Sequence, residues 1–160
     1  VPITYPPYKI NGFMISGFLT PGENVGFTYP KELKDDIMKK NYRIDSVNRQ
    51  DISDEHFYKE IINLMETRKN VCIDLMKKKK WDTFFVVFRP EPLQNRFWED
   101  GKMNIIEDVY EIVDKHVGDL VKEAGKDVNI ILVSDHGFGR KPEYNFYLNR
   151  WLMENRYLFL

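Results

Sequence analysis

Apolar residues fall along this chain in two patterns that alternate: stretches with helical spacing, and short runs. After Ser53 the positions Phe57, Ile61, Leu64 with Met65, Val71 with Cys72, and Leu75 with Met76 keep the three-to-four spacing of one helix face. Ser53 is a suitable N-cap, and Lys77 to Lys80 end the segment with positive charge that complements the helix dipole. A solvated C-terminal face explains those lysines better than a phosphate-binding patch. A second helical stretch carries Ile106, Val109 with Tyr110, Val113, Val117, and Leu120 with Val121 on one side, and Gly125 is placed to stop it. Pro30 can open a shorter helix with Leu33, Ile37 and Met38 along one side, up to the polar break at Asn41.

The short runs are Phe84 to Phe88, which is unbroken, and Val128 to Val133, which is interrupted by Asn129 alone. Both are too short for a helix and rich in aromatic and β-branched residues, as expected of parallel strands buried on both faces. Strand, long helix, strand is a crossover unit, which predicts an α/β fold with a mainly parallel sheet flanked by helices. Two shorter strands are expected between Gly12 and Gly17 and over Tyr42 to Val47, while Tyr5-Pro6-Pro7-Tyr8 is held extended by its prolines. Residues 1–160 therefore read as one domain segment: 1–30 loop-rich, 31–80 mainly helical, and 81–160 a strand-helix-strand core ending in a further helix.

Composition narrows the partners. Twenty-four Lys and Arg against 25 Asp and Glu leave a net charge of -1, without the basic footprint of a nucleic-acid binder. At 160 residues, 42% hydrophobic and 14% aromatic, the chain has ample material for a core. One cysteine, Cys72, allows no internal disulfide, and no apolar run reaches the roughly 18 residues of a membrane span. A cytoplasmic protein with no membrane association is the expectation. The start at Val1 and the apolar end at Tyr157 to Leu160 suggest a segment of a longer chain.

Candidate chemistry gathers at the ends of the two runs. Ser134-Asp135-His136-Gly137-Phe138-Gly139 follows the second, at the carboxyl edge of a strand where open α/β sheets bind ligands. Asp135 and His136 set a carboxylate beside an imidazole, a pair suited to zinc and its neighbours, although an Asx turn would use the same residues. Position after a buried run favours the site. After the first run, Arg89-Pro90-Glu91-Pro92 forbids strand continuation, and Glu91 and Asn95 stand one helical turn apart. Glu91 is otherwise an acidic residue at a helix start.

Taken together, Val133-Ser134-Asp135-His136-Gly137, the stretch from Trp81 to Trp98, Pro2-Ile3-Thr4-Tyr5-Pro6-Pro7 and Asn11-Gly12 resemble the type I phosphodiesterase/nucleotide pyrophosphatase family of the alkaline phosphatase superfamily, in order and over essentially the whole chain. The short Ser-Asp-His-Gly identifies the superfamily; the proline and glycine segments and Phe97-Trp98 point to the phosphodiesterase branch. The resemblance implies an alkaline-phosphatase-like fold, present here in part, and two divalent metal ions, usually zinc. Asp135 and His136 match an Asp-His pair that binds one ion. Where the family places an Asp and a His four residues later for the other ion, this chain has Glu91 and Asn95. Asn offers only a neutral carbonyl oxygen, so this second site is either degraded or takes a different ion.

The resemblance also places the family's Thr or Ser nucleophile, and a further Asp, upstream of the matched region, and another His downstream. Thr4, Thr20 and Thr28 stand in no such context and read as loop residues, and His56 and His116 fall within helical patterns. Three readings follow. The first is a segment of a phosphoric ester hydrolase acting on a small phosphorylated substrate such as a nucleotide, inactive as the 160 residues alone. The second is a catalytically degraded relative that binds a phosphorylated ligand or a protein. The third is sulfatase or phosphomutase chemistry, which Cys72 supports poorly because it sits mid-helix on an apolar face. Tyr5, Tyr8, Phe13 and Phe18 are either a stacking surface for a nucleobase or packing residues.

Overall fold

Ser53 begins the longest helix: its extended backbone leaves the helical region, and its Oγ accepts the backbone N–H of His56 at 3.3 Å. In this computed structural model, which describes residues 4–44, 52–98, 100–139 and 143–159, that helix is Asp54–Lys78. In chain order the elements are β1 (Met14–Ile15), β2 (Thr28–Tyr29), α1 (Leu33–Met38), α2 (Asp54–Lys78), α3 (Glu91–Phe97), α4 (Met103–Ala124) and α5 (Leu148–Glu154). The predicted stops hold. Asn41 turns the chain after α1 with φ of 57°, and Gly125 ends α4 with φ of 89°, a conformation that costs a residue without Cβ little.

Two apolar clusters share α2. Its first half buries Phe57, Ile61 and Met65 against Leu93 and Phe97 of α3 and Ile106 and Val109 of α4. Its second half buries Val71 and Leu75 against Phe27, Leu33, Ile37, Tyr42 and Ile44. The apolar stripe read from the sequence is therefore one stripe used twice, each fully buried side chain being worth about 1.5–3 kcal/mol of transfer free energy. Arg96 and Lys102 fix the α3 end of this arrangement, Arg96 Nε at 2.8 Å and Lys102 Nζ at 2.6 Å from the Asp54 carboxylate at the start of α2.

The architecture is mixed: helices with one small sheet, in which β1 and β2 pair antiparallel through Met14 with Tyr29 and Ile15 with Thr28. This is consistent with an incomplete α/β domain, and it differs from the expected parallel sheet. The helix between the two apolar runs forms as predicted, but neither run enters a ladder among the described residues. The run 84–88 is held instead by side chains. Phe84 packs on one cluster and Phe88 on the other, and Arg68 of α2 donates to the carbonyls of Val87 at 3.2 Å and Ile44 at 2.9 Å. The run after α4 stays open, with Ile131, Leu132 and Val133 at least 78% exposed. Apolar composition demands burial without naming the strand that supplies it, and a ladder needs a neighbour with facing N–H and C=O groups. Of the short strand expected over 42–47, residues 45–47 lie outside the described residues and 42–44 form no strand; Tyr42 and Ile44 are core side chains.

Candidate functional site

The turn at Asp135 and His136 is carried by the exposed segment that follows α4, with the two side chains 90% and 69% exposed. Ser134 Oγ donates to the His136 carbonyl at 2.6 Å, closing the turn locally. His136 Nδ1 lies 2.8 Å from the Gly137 carbonyl oxygen. A carbonyl only accepts, so Nδ1 carries the proton, and in the neutral ring Nε2 keeps its lone pair. Nε2 is 3.8 Å from Asp135 Oδ1. The hydrogen bond to Gly137, then the charges of Asp135 and Glu91, hold the imidazole above its ordinary pKa. A proton and a cation thus compete for the same Nε2.

Glu91 is the first residue of α3, four positions before Asn95, and Asn95 is exposed. Leu93, Gln94 and Phe97 of the same helix turn inward. The Gln94 amide donates to the Tyr110 hydroxyl of α4, which fixes the roll of the helix. Trp98, at the end of α3, meets Phe138 edge-on with ring centroids 5.3 Å apart, so the turn at 135–139 rests against this helix. The two sequence-predicted halves are thereby neighbours: Glu91 lies within electrostatic reach of His136.

The Glu91 carboxylate is engaged by a residue to which the sequence assigned no role. Arg89 Nε and Nη2 both lie 2.5 Å from Glu91 Oε1 across Pro90, and the Arg89 guanidinium sits 4.2 Å from the centre of the Phe18 ring. An Arg-Pro-Glu tripeptide at the end of an extended run is the signal that could have shown this pairing, because proline fixes the turn between the charges.

Two metal ions are implied by the resemblance, and the residues meet that implication unequally. Asp135 Oδ1 and His136 Nε2 are chemically sound donors, with the other imidazole nitrogen held by a carbonyl as in many His sites. They are two donors, where catalytic zinc takes three and structural zinc four. Among the described residues no group of three or more His, Cys, Asp and Glu side chains is gathered as for one ion. Glu91 with Asn95 fits poorly: Oε1 of the carboxylate already holds a guanidinium, whose positive charge stands beside any ion on the other oxygen, and Asn95 adds no charge.

The remaining candidates take ordinary places. Thr20 and Thr28 donate to loop carbonyls, Thr20 to Gly17 at 2.6 Å and Thr28 to Pro30 at 3.0 Å. Cys72 is buried in α2, and burial pushes its thiol up to about 11, far from a reactive thiolate. His56 is exposed on α2 and His116 is buried between α2 and α4. Phe13 packs edge-on against Phe84 at 5.8 Å and Phe18 covers Arg89, which accounts for two of the four aromatic residues considered for stacking. Two surface depressions, one at Tyr147 to Arg150 and one lined by Tyr58, Asp108, Glu111, Ile112 and Lys115, include no residue of the Asp135 turn in their linings. Among the described residues no helix is long and apolar enough to cross a membrane.

The family model for type I phosphodiesterase / nucleotide pyrophosphatase matches residues 3–159. No curated protein and no solved structure matches the chain.

Proposed function

The chain belongs to the type I phosphodiesterase/nucleotide pyrophosphatase family, a family of phosphoric ester hydrolases, and from that premise we propose that it is the part of a metal-dependent phosphodiesterase or pyrophosphatase that holds a divalent ion on Asp135 and His136. The observation that carries this reading is the Nδ1 contact of His136 to the Gly137 carbonyl, which leaves Nε2 and the Asp135 carboxylate as adjacent donors. When bound, an ion there supplies charge to a phosphoryl oxygen and lowers the pKa of an attacking hydroxyl. Zinc suits a carboxylate and imidazole pair.

Around that centre the chain's own residues bind and orient. His136 is held in one tautomer by Gly137, and Trp98 supports the turn through Phe138. The substrate is a small phosphorylated ligand, a nucleotide among the candidates. With a net charge of -1, recognition of its anionic phosphate falls to the bound cation. In this reading the Thr or Ser nucleophile is supplied by sequence outside these 160 residues, as are the missing metal ligands, and the alkaline-phosphatase-like sheet is completed there too.

A second reading, a relative that keeps phosphate-ligand binding without turnover, is favoured by the occupation of Glu91 by Arg89. Hydrolysis of an activated phosphodiester separates the cases. The 160-residue chain gives the uncatalysed rate with zinc added, and a longer form carrying the upstream hydroxyl hydrolyses the ester and loses about a hundredfold or more on Asp135→Asn. An inactive longer form that still binds a nucleotide through Asp135 supports the second reading. Zinc-dependent hydrolysis by the 160-residue chain itself, abolished by Asp135→Asn, sinks the assignment of the nucleophile.

A further inference from the structure

We propose that Arg89 closes the Glu91 position to metal: its guanidinium is a permanent, covalently held cation where a second ion would bind, and Glu91 is not a metal ligand in this protein. The inference rests on the reading that Asp135 and His136 hold an ion, since only beside an occupied first site does the second become a question.

Geometry supplies the argument. Two contacts from Arg89 to Glu91, through Nε and Nη2, converge on the oxygen Oε1 at 2.5 Å. A metal ion approaching Oε1 meets positive charge at hydrogen-bond distance, and the repulsion is weakly screened because the arginine and glutamate side chains are only 20% and 29% exposed. The guanidinium is anchored on its other side by the Phe18 ring at 4.2 Å, so moving it away breaks a cation–π contact as well as the ion pair. Asn95, one turn further along α3, contributes no charge that would draw an ion past Arg89.

Glu91 is thereby withdrawn from the donors open to an ion, and the Asp135 and His136 pair is left as the one candidate position. The charge lost with the second ion is partly restored by a group that neither exchanges with solution cations nor responds to chelators. The structure makes Arg89 a residue that sets metal stoichiometry, and the pairing with Glu91 keeps it in place.

Zinc titration by calorimetry, on the 160-residue chain and on a longer form that carries the missing ligands, tests this without any activity assay. Glu91→Gln should bind zinc with the same number of sites as the unmodified chain and an affinity within about twofold. Arg89→Met, which keeps an apolar stem beside Phe18 while removing the charge, should gain a second binding event that the Arg89→Met/Glu91→Gln double variant lacks. A loss of about tenfold or more in zinc affinity on Glu91→Gln, or the loss of one of two events, overturns the proposal. So does an Arg89→Met variant with unchanged far-ultraviolet circular dichroism and no added event. Should Arg89→Met fail to fold, Glu91→Gln alone decides. Asp135→Asn, run in parallel, reports on the first site: persistence of the wild-type event in that variant counts against the Asp135 and His136 reading, independently of the result at Glu91.

Discussion

Trp98 and Phe138 meet edge-on, ring centroids 5.3 Å apart, and this contact ties the end of α3 to the turn that bears Asp135 and His136. The turn has little other burial: residues 134–137 are exposed and Phe138 alone is half-buried. This aromatic pair, worth about 0.5–1.5 kcal/mol, therefore helps hold the two candidate donors in place relative to α3.

Phe138→Ala should loosen the turn and leave the core intact. The expected outcome is faster amide exchange over 134–139 with a urea midpoint close to that of the unmodified chain. A proton-NMR titration of His136 should move toward the ordinary imidazole value as the Glu91 charge recedes, since that charge is one of the influences raising it. Unchanged exchange and titration would show that the turn is positioned by something else.

His116 makes stability depend on pH. It is 3% exposed, and among the described residues neither ring nitrogen has a hydrogen-bond partner; Glu66 Oε2 stands 3.5 Å from Nε2. Burial first, then Lys69 and Lys115, push its pKa down against the opposing charges of Glu66 and Asp119. The folded value lies below the unfolded one of about 6.5, so as pH falls through about 6.5 the unfolded chain binds a proton that the native chain refuses. Stability declines until the folded value is reached. His136 acts in the opposite sense: its raised pKa gives a contribution present below the unfolded value and lost as pH rises through the folded one. Comparing the chain with His116→Phe isolates the first effect. Between about pH 7.5 and about pH 5.5 the urea midpoint should fall more in the unmodified chain than in the variant, and equal falls would refute the assignment.

Arg68 substitutes for a ladder partner. Replacing it by Met leaves the carbonyls of Ile44 and Val87 without their guanidinium donor, at a cost of about 1.5–3 kcal/mol. Equilibrium urea unfolding checks this, together with limited proteolysis at 81–90, which should become the first site of cleavage. Arg68→Lys should recover only part of the loss, because one ammonium cannot reproduce a fork that reaches two carbonyls.

Cys72 should be inert in the folded chain. Its thiol is buried and pushed up to about 11, so an aromatic disulfide reagent at neutral pH should react with it only after denaturation. Prompt reaction in buffer would mean that the lower half of α2 opens readily.

Much of the fold is legible in the residues themselves. The helix after Ser53, its buried face and its lysine end follow from local rules of capping, periodicity and charge, as do α4 and its stop at Gly125. The candidate site is legible only as donor types: Asp135 and His136 bring a carboxylate and an imidazole side by side after an apolar run, the basis on which a cation is proposed there. What they cannot show is the company they keep. Glu91 reads as a ligand by position, and the residue that claims its carboxylate is two places away across a proline, a pairing that depends on the turn geometry and on Phe18 arriving from the other end of the chain.

The same division applies to the apolar runs. Their composition, with no charge from Phe84 to Phe88 or from Val128 to Val133, determined that both are built for burial. Only the tertiary structure decided how each is satisfied, one by Arg68 and the two clusters along α2, the other open with Ile131 to Val133 exposed. Local sequence sets backbone preference and the face that seeks cover, because those depend on neighbouring residues. Cover itself, and the charge that reaches Glu91, come from segments far apart in the chain, and only the folded arrangement brings them together.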